Sequence, residues 1–282
     1  MGQHGPASPR QRAPVDASRR WVPDGTGAGG TTSVDREGDR VDRGSAPPPE
    51  SGDRPEASEA LVDAAAAGDP LEGDARLPEF FGPAWSTVHA YAELLRTHGV
   101  IRGVIGPQEV GRLWERHLLN SAAAVRFLPR SGTVIDLGSG GGLPGIVVAA
   151  MVPDVEVVLL EPMERRCEWL QFVLAELGLA NAKVRRARAE EVAGDYQADA
   201  VTVRAVAPLD KLYGWAAPLV RADGRLVALK GERAPQEVDA ARASARRLGW
   251  QGAEIVVSEV MAGVAPTRVV LAVRRDGGPR VR

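Results

Sequence analysis

Large apolar residues between positions 77 and 128 recur with a helical period, three or four residues apart or at multiples of that step. Two runs follow this pattern. The first contains Phe80, Trp85, Val88, Leu94 and Leu95, and the second begins with Val110, Leu113, Trp114, His117 and Leu118. The pattern predicts a group of packed helices in this part of the chain.

From residue 133 onward, short runs rich in β-branched residues alternate with longer runs of helical pattern. The strand-like runs cover residues 133–137, 156–160, 182–185, 200–203 and 225–229. The helix-like runs cover residues 144–151, 163–177, 209–219 and 235–248. Repeated strand–helix units predict an α/β fold with a mostly parallel sheet covered on both faces. Two further strand-like runs, 254–260 and 268–273, have no helix between them, which predicts a closing hairpin with an antiparallel strand at the sheet edge.

The amino-acid composition of residues 1–75 differs from that of the rest of the chain. Residues 1–75 contain one aromatic residue, Trp21, and no Ile or Phe, and their acidic residues outnumber the basic ones. Such a segment cannot bury enough apolar surface to offset the cost of ordering its backbone. We therefore expect a disordered tail at 1–75, a helical segment at 76–130, an α/β core at 131–275 and a flexible end at 276–282. The predicted domain then carries a slight positive excess, which is compatible with nucleic-acid contact.

Several classes of protein are disfavoured by what the sequence lacks. No apolar run approaches the roughly 20 residues of a membrane-spanning helix, and the first 20 residues lack the apolar core of a secretory signal, so we expect a cytoplasmic protein. The single cysteine, Cys167, cannot form an intramolecular disulfide or a multi-thiolate zinc site. We expect no metal and a core stabilised by packing.

The glycine-rich stretch 138–145 follows the first predicted strand and precedes the first predicted helix of the sheet. Glycines there let backbone approach a ligand closely, and a helix N-terminus offers unpaired N–H groups. Gly140, Gly142 and Gly145 match the dinucleotide fingerprint, and Glu161 ends the second strand about 20 residues on, where an acidic side chain would hold ribose hydroxyls. The loop alone does not distinguish a nicotinamide cofactor from S-adenosylmethionine.

Further features favour S-adenosylmethionine. Asp136 precedes the glycines, and a carboxylate at that point suits a ligand with an ammonium group. None of the three tyrosines has a lysine four residues later, and little chain remains for a separate substrate domain of a dehydrogenase. By analogy, the two-strand ending also resembles that of the Rossmann-like class I methyltransferases. An NAD(P)-dependent oxidoreductase remains the alternative enzyme.

Four ordered segments carry a more specific resemblance. They are the stretches 114–121 (WERHLLNS), 136–145 (DLGSGGGLPG), 202–207 (TVRAVA) and 228–231 (ALKG). Residues from about 77 to 275 resemble the glucose-inhibited division protein B family, the ribosomal small-subunit RNA guanine-N7 methyltransferases. Asn120 departs from the pattern, because many members have Asp there.

The resemblance implies where the ligands bind. For the cofactor, S-adenosylmethionine, it implies contacts at Gly138, Leu143, the Ala189–Glu190 pair and Arg204, to which the loop and strand positions add Gly140 and Glu161. For the substrate we expect Arg116, His117 and Lys230. Two of these have other interpretations: Glu190 would also suit a solvated helix start, and His117 would also suit a packed histidine.

Methylation at N7 of a guanine in 16S ribosomal RNA would need no general acid or base, because that nitrogen has an in-plane lone pair and no proton. We therefore assign no catalytic residue and expect alignment to supply most of the catalysis. The expected partner is the small-subunit RNA or the 30S subunit, bound by a monomer. We expect a phosphate-binding basic face formed by Arg102, Arg112, Arg116, Arg165, Arg166, Arg185, Arg186 and Lys230. A non-catalytic, ligand-sensing RNA-binding protein is the alternative from another class.

Overall fold

The computed structural model describes residues 68–275. The predicted C-terminal segment 276–282 and most of the predicted N-terminal tail lie outside the described residues. Within them, residues 70–73 already form turns, and Asp69 Oδ2 accepts a hydrogen bond from the backbone N–H of Trp114 at 2.8 Å. The helical segment thus contacts chain that precedes the predicted boundary at residue 75.

The segment before the sheet is helical, as its periodicity predicts, but it consists of short pieces. The α-helices are α1 (Arg76–Phe81), α2 (Trp85–Leu94) and α3 (Asn120–Ala122). Short 3₁₀-helical and π-helical turns lie between and after them. The 3₁₀ turns are Gly82–Ala84, Pro107–Arg112 and Val125–Phe127, and the π turns are Leu95–Gly99 and Trp114–Leu119. Trp114 is fully buried and stacks on Trp85 with ring centroids 5.5 Å apart, so these tryptophans pack the segment together.

Seven strands form one sheet in the order β3-β2-β1-β4-β5-β7-β6. The strands are β1 (Gly132–Leu137), β2 (Val155–Glu161), β3 (Ala182–Arg186), β4 (Ala198–Arg204), β5 (Val220–Lys230), β6 (Trp250–Ser258) and β7 (Thr267–Arg274). The helices between them are α4 (Gly145–Met151), α5 (Glu164–Leu177), α6 (Leu209–Ala216) and α7 (Ala234–Arg247). The first five strands are parallel, and β7 runs antiparallel to both β5 and β6. The predicted mostly parallel sheet with an antiparallel closing hairpin is confirmed.

Both faces of the sheet are buried. Along β1, Val134 belongs to a core that includes the N-terminal helical segment, whereas its neighbour Ile135 belongs to the core on the opposite face. Successive side chains of a strand point to opposite faces, so an almost uniformly apolar strand indicates helices on both sides. None of the helices within residues 68–275 combines the length and apolarity that crossing a bilayer requires.

Several predicted boundaries are wrong, among them the start of β6, which lies at Trp250 instead of residue 254. Helix α6 ends at Ala216 instead of residue 219, and Pro218, which has no N–H to donate, follows closely. The predicted turn 222–224 lies inside β5, where Asp223 has φ of 62° and the pairing with β4 is irregular. Turn-forming residues at that point therefore form a bulge and do not end the strand.

Strand order reverses between β1 and β4, which places a crevice at their carboxyl ends. Asp136 of β1 is in register with Leu159 of β2 and with Thr202 of β4. The chain segments that leave these three strands therefore meet at one edge of the sheet.

Candidate functional site

The glycine loop turns sharply as it leaves β1. Gly138 has φ of 69°, and its N–H donates to the carbonyl of Leu160 at 2.8 Å. A Cβ at Gly138 would lie 2.8 Å from Cγ2 of Val206, closer than real side chains approach. Both the backbone angle and the space require glycine at this position.

Two aromatic side chains support the loop from below. The hydroxyl of Tyr91 and the Nε1 of Trp169 both donate to the carbonyl of Gly141, at 2.7 and 2.8 Å. Burial raises the pKa of Tyr91, so it remains a phenol and can donate. Neither contact could be predicted from the sequence, because helical spacing does not reveal which indole or phenol has a distant acceptor.

Asp136 lies beneath the loop, and the expected role for it is wrong. It is fully buried and does not line the small cavity that lies over the loop. Its Oδ2 accepts a hydrogen bond from the N–H of Gly145 at 3.0 Å. Its Oδ1 has no hydrogen-bond partner among the described residues. Burial raises the pKa of Asp136 to about 7. This carboxyl therefore fixes the start of α4 against β1 and does not reach into the cavity to bind an ammonium group.

Glu161 ends β2 as predicted and lies beside the loop. Its Oε2 accepts from the N–H of Gly140 at 2.9 Å, and its Oε1 accepts from the N–H of Met163 at 3.0 Å. A carboxylate offers about four lone-pair sites, so two remain for hydroxyl donors of a ligand. Glu161 also lines the small cavity over the loop, so its carboxylate is placed to accept hydrogen bonds from the ribose hydroxyls of a ligand.

Two cavities adjoin at this edge of the sheet. The smaller one lies over the loop and has a volume of about 460 Å³, within the usual range for small-molecule sites. Five of the predicted cofactor residues line it: Gly138, Gly140, Leu143, Glu161 and Arg204. Ala189 and Glu190 do not. Ala189 is buried and Glu190 is exposed, in the short turn Ala189–Val192 that follows β3. These two residues stay a prediction.

A larger cavity of about 820 Å³ adjoins the smaller one. It brings together the predicted substrate residues Arg116, His117 and Lys230. Arg204 lines both cavities and so stands between them. Asn120, the residue that departs from the family pattern, also lines the larger cavity and donates from Nδ2 to Oγ1 of Thr267 at 2.9 Å.

Glu109, which the sequence analysis did not single out, completes a chain of polar contacts. Glu109 Oε2 lies 2.8 Å from His117 Nε2, and His117 Nδ1 lies 3.1 Å from Arg204 Nη2. Burial and the nearby Arg204 lower the pKa of His117. Although burial acts in the opposite direction, the hydrogen bond with His117 and the charge of Arg116 lower the pKa of Glu109. No local spacing signals this contact.

The ammonium of Lys230 is not free in this structure. Its Nζ donates to the carbonyl of Ala207 at 2.6 Å and to Oε2 of Glu237 at 2.7 Å, and its side chain is only 8% exposed. The residue lies where the sequence predicts, but its charge is already compensated by a carboxylate.

The expected basic face is partly neutralised as well. Arg186 pairs with Glu164 at 2.6 Å, and Arg185 lies 4.0 Å from Asp195. The guanidinium of Arg102 lies over the ring of Phe172. Arg112 and Arg116 line the larger cavity, and Arg166 lines the smaller one. The arginines that best fit phosphate binding are those at the cavities.

Three potential metal ligands, Glu72, His89 and Glu93, lie together on the helical segment. Arg96 contacts both carboxylates of this group, at 2.6 Å for Glu72 and 3.0 Å for Glu93. These contacts already balance the acidic charge, so the group resembles a surface ion-pair network.

The strand order and the site together define a class of protein. A dinucleotide-binding sheet of the usual order continues with a sixth parallel strand, whereas here an antiparallel β7 lies next to β5. With the glycine loop, Glu161 and the smaller cavity, this is a Rossmann-like class I S-adenosylmethionine-dependent methyltransferase.

Comparison with known proteins identifies the family. The family model GidB, described as rRNA small subunit methyltransferase G, matches residues 85–261, and the chain belongs to this family. Ribosomal RNA small subunit methyltransferase G of Thermobifida fusca is 55% identical over 164 residues, which cover 58% of this chain and 69% of the relative. The protein of the same name from Mycobacterium marinum is 48% identical over 206 residues, covering 72% of this chain and 90% of the relative.

Among solved structures, a SAM-dependent O-methyltransferase from Thermotoga maritima has a TM-score of 0.46 and 14% sequence identity. The match covers 61% of this chain and 72% of the other. The expected family, fold class and cofactor are confirmed, and the comparisons give the oxidoreductase interpretation no support.

Proposed function

We propose that this protein transfers a methyl group from S-adenosylmethionine to N7 of a guanine in 16S ribosomal RNA. One observation carries the proposal: Arg204 lines both cavities, so the site for the methyl donor and the site for a base share a wall. The family description, rRNA small subunit methyltransferase G, supports the same substrate.

The cofactor, when bound, supplies a methyl group activated by a sulfonium. Gly138 and Gly140 allow close approach of backbone to such a ligand, and Glu161 fits its ribose hydroxyls. The lone pair of guanine N7 forms the new N–C bond as the C–S bond breaks, so no side chain has to remove a proton. The protein has to hold donor and acceptor in line and to exclude water.

Positive charge moves from the donor onto the base during this reaction. Three carboxylates line the larger cavity, those of Glu109, Glu115 and Glu237. Glu237 is paired with Lys230, and Glu109 contacts His117 and Arg116, so we assign these two carboxylates no role in stabilising the arriving charge. Arg112 and Arg116, on the same cavity, suit the phosphates of the RNA around the target base.

RNA recognition of this kind usually requires a base that can be splayed out of its helix. The candidate substrates are naked 16S RNA and the 30S subunit, and the experiment below uses both. We expect one chain to be sufficient, because residues of a single chain line both cavities, and we expect the reaction in the cytoplasm.

The test uses the purified protein with S-adenosylmethionine tritiated in its methyl group. The substrates are 16S RNA and 30S subunits from a strain that lacks the corresponding enzyme, with the modified subunits of the parent strain as control. We expect label in 7-methylguanosine after digestion to nucleosides, and little label with the parent subunits. Label in another nucleoside, or none with either substrate, would overturn the proposal.

A binding experiment separates the remaining alternatives. Calorimetry should show binding of S-adenosylhomocysteine and none of NADH. Binding of S-adenosylhomocysteine and RNA without any methyl transfer would instead support a ligand-sensing RNA-binding protein.

A further inference from the structure

The segment between β4 and α6, residues 205–208, forms the wall between the two cavities, and we call it the partition segment. Ala205 and Val206 line both cavities. A Cβ at Gly138 would lie 2.8 Å from Val206 Cγ2, so Val206 covers the glycine loop at the point where it leaves β1. A shift of the partition segment would therefore change the shape of both cavities at once.

The partition segment has an unfavourable backbone conformation. Ala205 has φ of 53°, in the left-handed region that residues with a Cβ rarely adopt. Such conformations persist where the surrounding structure holds them in place. The segment is short, so its position depends on the contacts at its two ends.

The first end is held at Arg204. Its Nη1 donates to the carbonyl of Arg116 at 3.0 Å, and its Nη2 donates to Nδ1 of His117 at 3.1 Å. These contacts connect the segment to the helical part of the chain that precedes the sheet.

The second end is held by an ion pair that also lines the larger cavity. Lys230 Nζ donates to the carbonyl of Ala207 and to Oε2 of Glu237. The same Oε2 accepts from the N–H of Leu209 at 3.1 Å. Lys230 and Glu237 together thus hold a carbonyl and an N–H on either side of Pro208.

We propose that the Lys230–Glu237 pair is a positioning device that fixes the partition segment, and that Lys230 does not bind RNA phosphate. A phosphate would have to displace Glu237 from an ammonium that is 8% exposed and already has two acceptors. The proposal rests on the proposed function in one respect: the larger cavity is taken to receive the base.

The test is a double-mutant cycle of Lys230→Met, Glu237→Leu and the double variant, with Glu237→Gln as the conservative change. The amide oxygen of Gln still accepts from Lys230 and Leu209, so this variant should recover part of the loss. Lys183→Met is the matched control, because Lys183 pairs with Glu156 in the exposed part of β2 and β3. Each variant is measured for S-adenosylhomocysteine affinity, kcat and KM with 16S RNA, and salt dependence of RNA binding.

We expect both single variants to weaken S-adenosylhomocysteine binding at least threefold and to lower kcat about tenfold, while the salt dependence of RNA binding stays as in the unchanged protein. The double variant should resemble the single ones, because residues that act as a unit give non-additive effects. Lys183→Met should match the unchanged protein in every measurement.

Other results would overturn the proposal. If Lys230→Met keeps its kcat and ligand affinity but its logarithmic salt slope falls by about one, Lys230 binds a phosphate. Additive effects in the cycle would likewise contradict a shared role. Thermal unfolding checks that each variant folds, and if Glu237→Leu does not fold, Glu237→Gln and Lys230→Met decide the question.

The design separates this proposal from the proposed function. If the unchanged protein transfers no methyl group to RNA, the proposed function fails. The cycle in S-adenosylhomocysteine affinity needs no RNA and still decides whether the pair positions Val206 over the glycine loop.

Discussion

Arg204 donates a hydrogen bond from Nη2 to Nδ1 of His117, 3.1 Å away. A guanidinium has only donors, so Nδ1 must accept, and the proton of the neutral imidazole lies on Nε2. Nε2 in turn faces Oε2 of Glu109 at 2.8 Å and donates to it. Arg204 thereby fixes the tautomer of His117, and Glu109 fixes the orientation of its ring.

This arrangement predicts the pH dependence of the reaction. Protonation of His117 would add a proton to Nδ1, remove the acceptor for Arg204 and place two positive charges side by side. Because burial lowers the pKa of His117 below its ordinary value of 6.5, we expect kcat/KM to be unaffected by His117 down to about that pH and to fall below it. His117→Phe should lower kcat/KM about tenfold, a loss of roughly 1.4 kcal/mol of transition-state stabilisation.

The measurement is a profile of kcat/KM against pH for both proteins. The free energy of unfolding should change with pH in the same direction as kcat/KM. Below pH 6.5 the unfolded chain binds a proton at this position more readily than the folded chain, so the contribution of His117 to stability falls as the pH falls. An acid limb that persists unchanged in His117→Phe would show that another group titrates.

Asp136 should make the protein less stable as the pH rises. Its pKa is raised from 3.8 to about 7 by burial, so its contribution to stability is present below pH 3.8 and is lost as the pH rises to about 7. Asp136→Asn keeps an oxygen that can accept from Gly145 and removes the charge. Denaturant unfolding at pH 5 and pH 8 should show a smaller decrease in the free energy of unfolding for the variant. Equal decreases in both proteins would contradict this.

Gly138→Ala should weaken cofactor binding. The added Cβ meets Val206, and the left-handed backbone of Gly138 costs a residue with a Cβ about 1–2 kcal/mol. We expect roughly tenfold weaker binding of S-adenosylhomocysteine in calorimetry, equivalent to about 1.4 kcal/mol.

Gly214→Ala is the matched control. Gly214 lies inside α6, with nothing within 4 Å of an added Cβ. Alanine there should preserve ligand affinity and stabilise the helix by about 0.5–1 kcal/mol. Similar losses of affinity in both variants would mean that Gly138 has no special requirement.

Arg116→Ala should reduce the salt dependence of RNA binding. Arg116 lines the larger cavity and lies 3.6 Å from Glu109, but its side chain is half exposed, so its guanidinium remains accessible to a phosphate. Loss of one phosphate contact should lower the logarithmic salt slope by about 0.7–0.9. Arg242→Ala, which removes an exposed arginine paired with Asp239 on α7, should leave the slope unchanged. Filter binding over a salt series compares the two, and equal slopes would argue against Arg116 as a phosphate contact.

Local patterns were sufficient to predict the sheet and much of the site. The periods of β1 to β4 and of α4 and α5 are properties of short stretches of chain, and these elements form close to where the patterns place them. Gly140 and Glu161 were identified because the glycine loop follows one strand, Glu161 ends another, and parallel strands end at one edge of a sheet. Gly138 was identified from the family resemblance.

Contacts between distant segments could not be predicted in the same way. Asp136 has the position expected of a ligand-binding carboxylate, but whether it faces the cavity depends on how the loop folds over it. The β5 bulge around Asp223 depends on pairing with β4, which residues 222–224 alone do not reveal.

An α/β domain, a glycine loop for a nucleotide-like ligand and the family could all be predicted from the sequence, because strand and helix periods and the loop motif are local. The position of Arg204 between two cavities and the pairing of Lys230 with Glu237 became visible in the folded structure. Arg204 and His117 are 87 residues apart in the sequence, so no local hydrophobic pattern predicts their contact. Their roles follow from burial and from the partners that the fold brings within hydrogen-bonding distance.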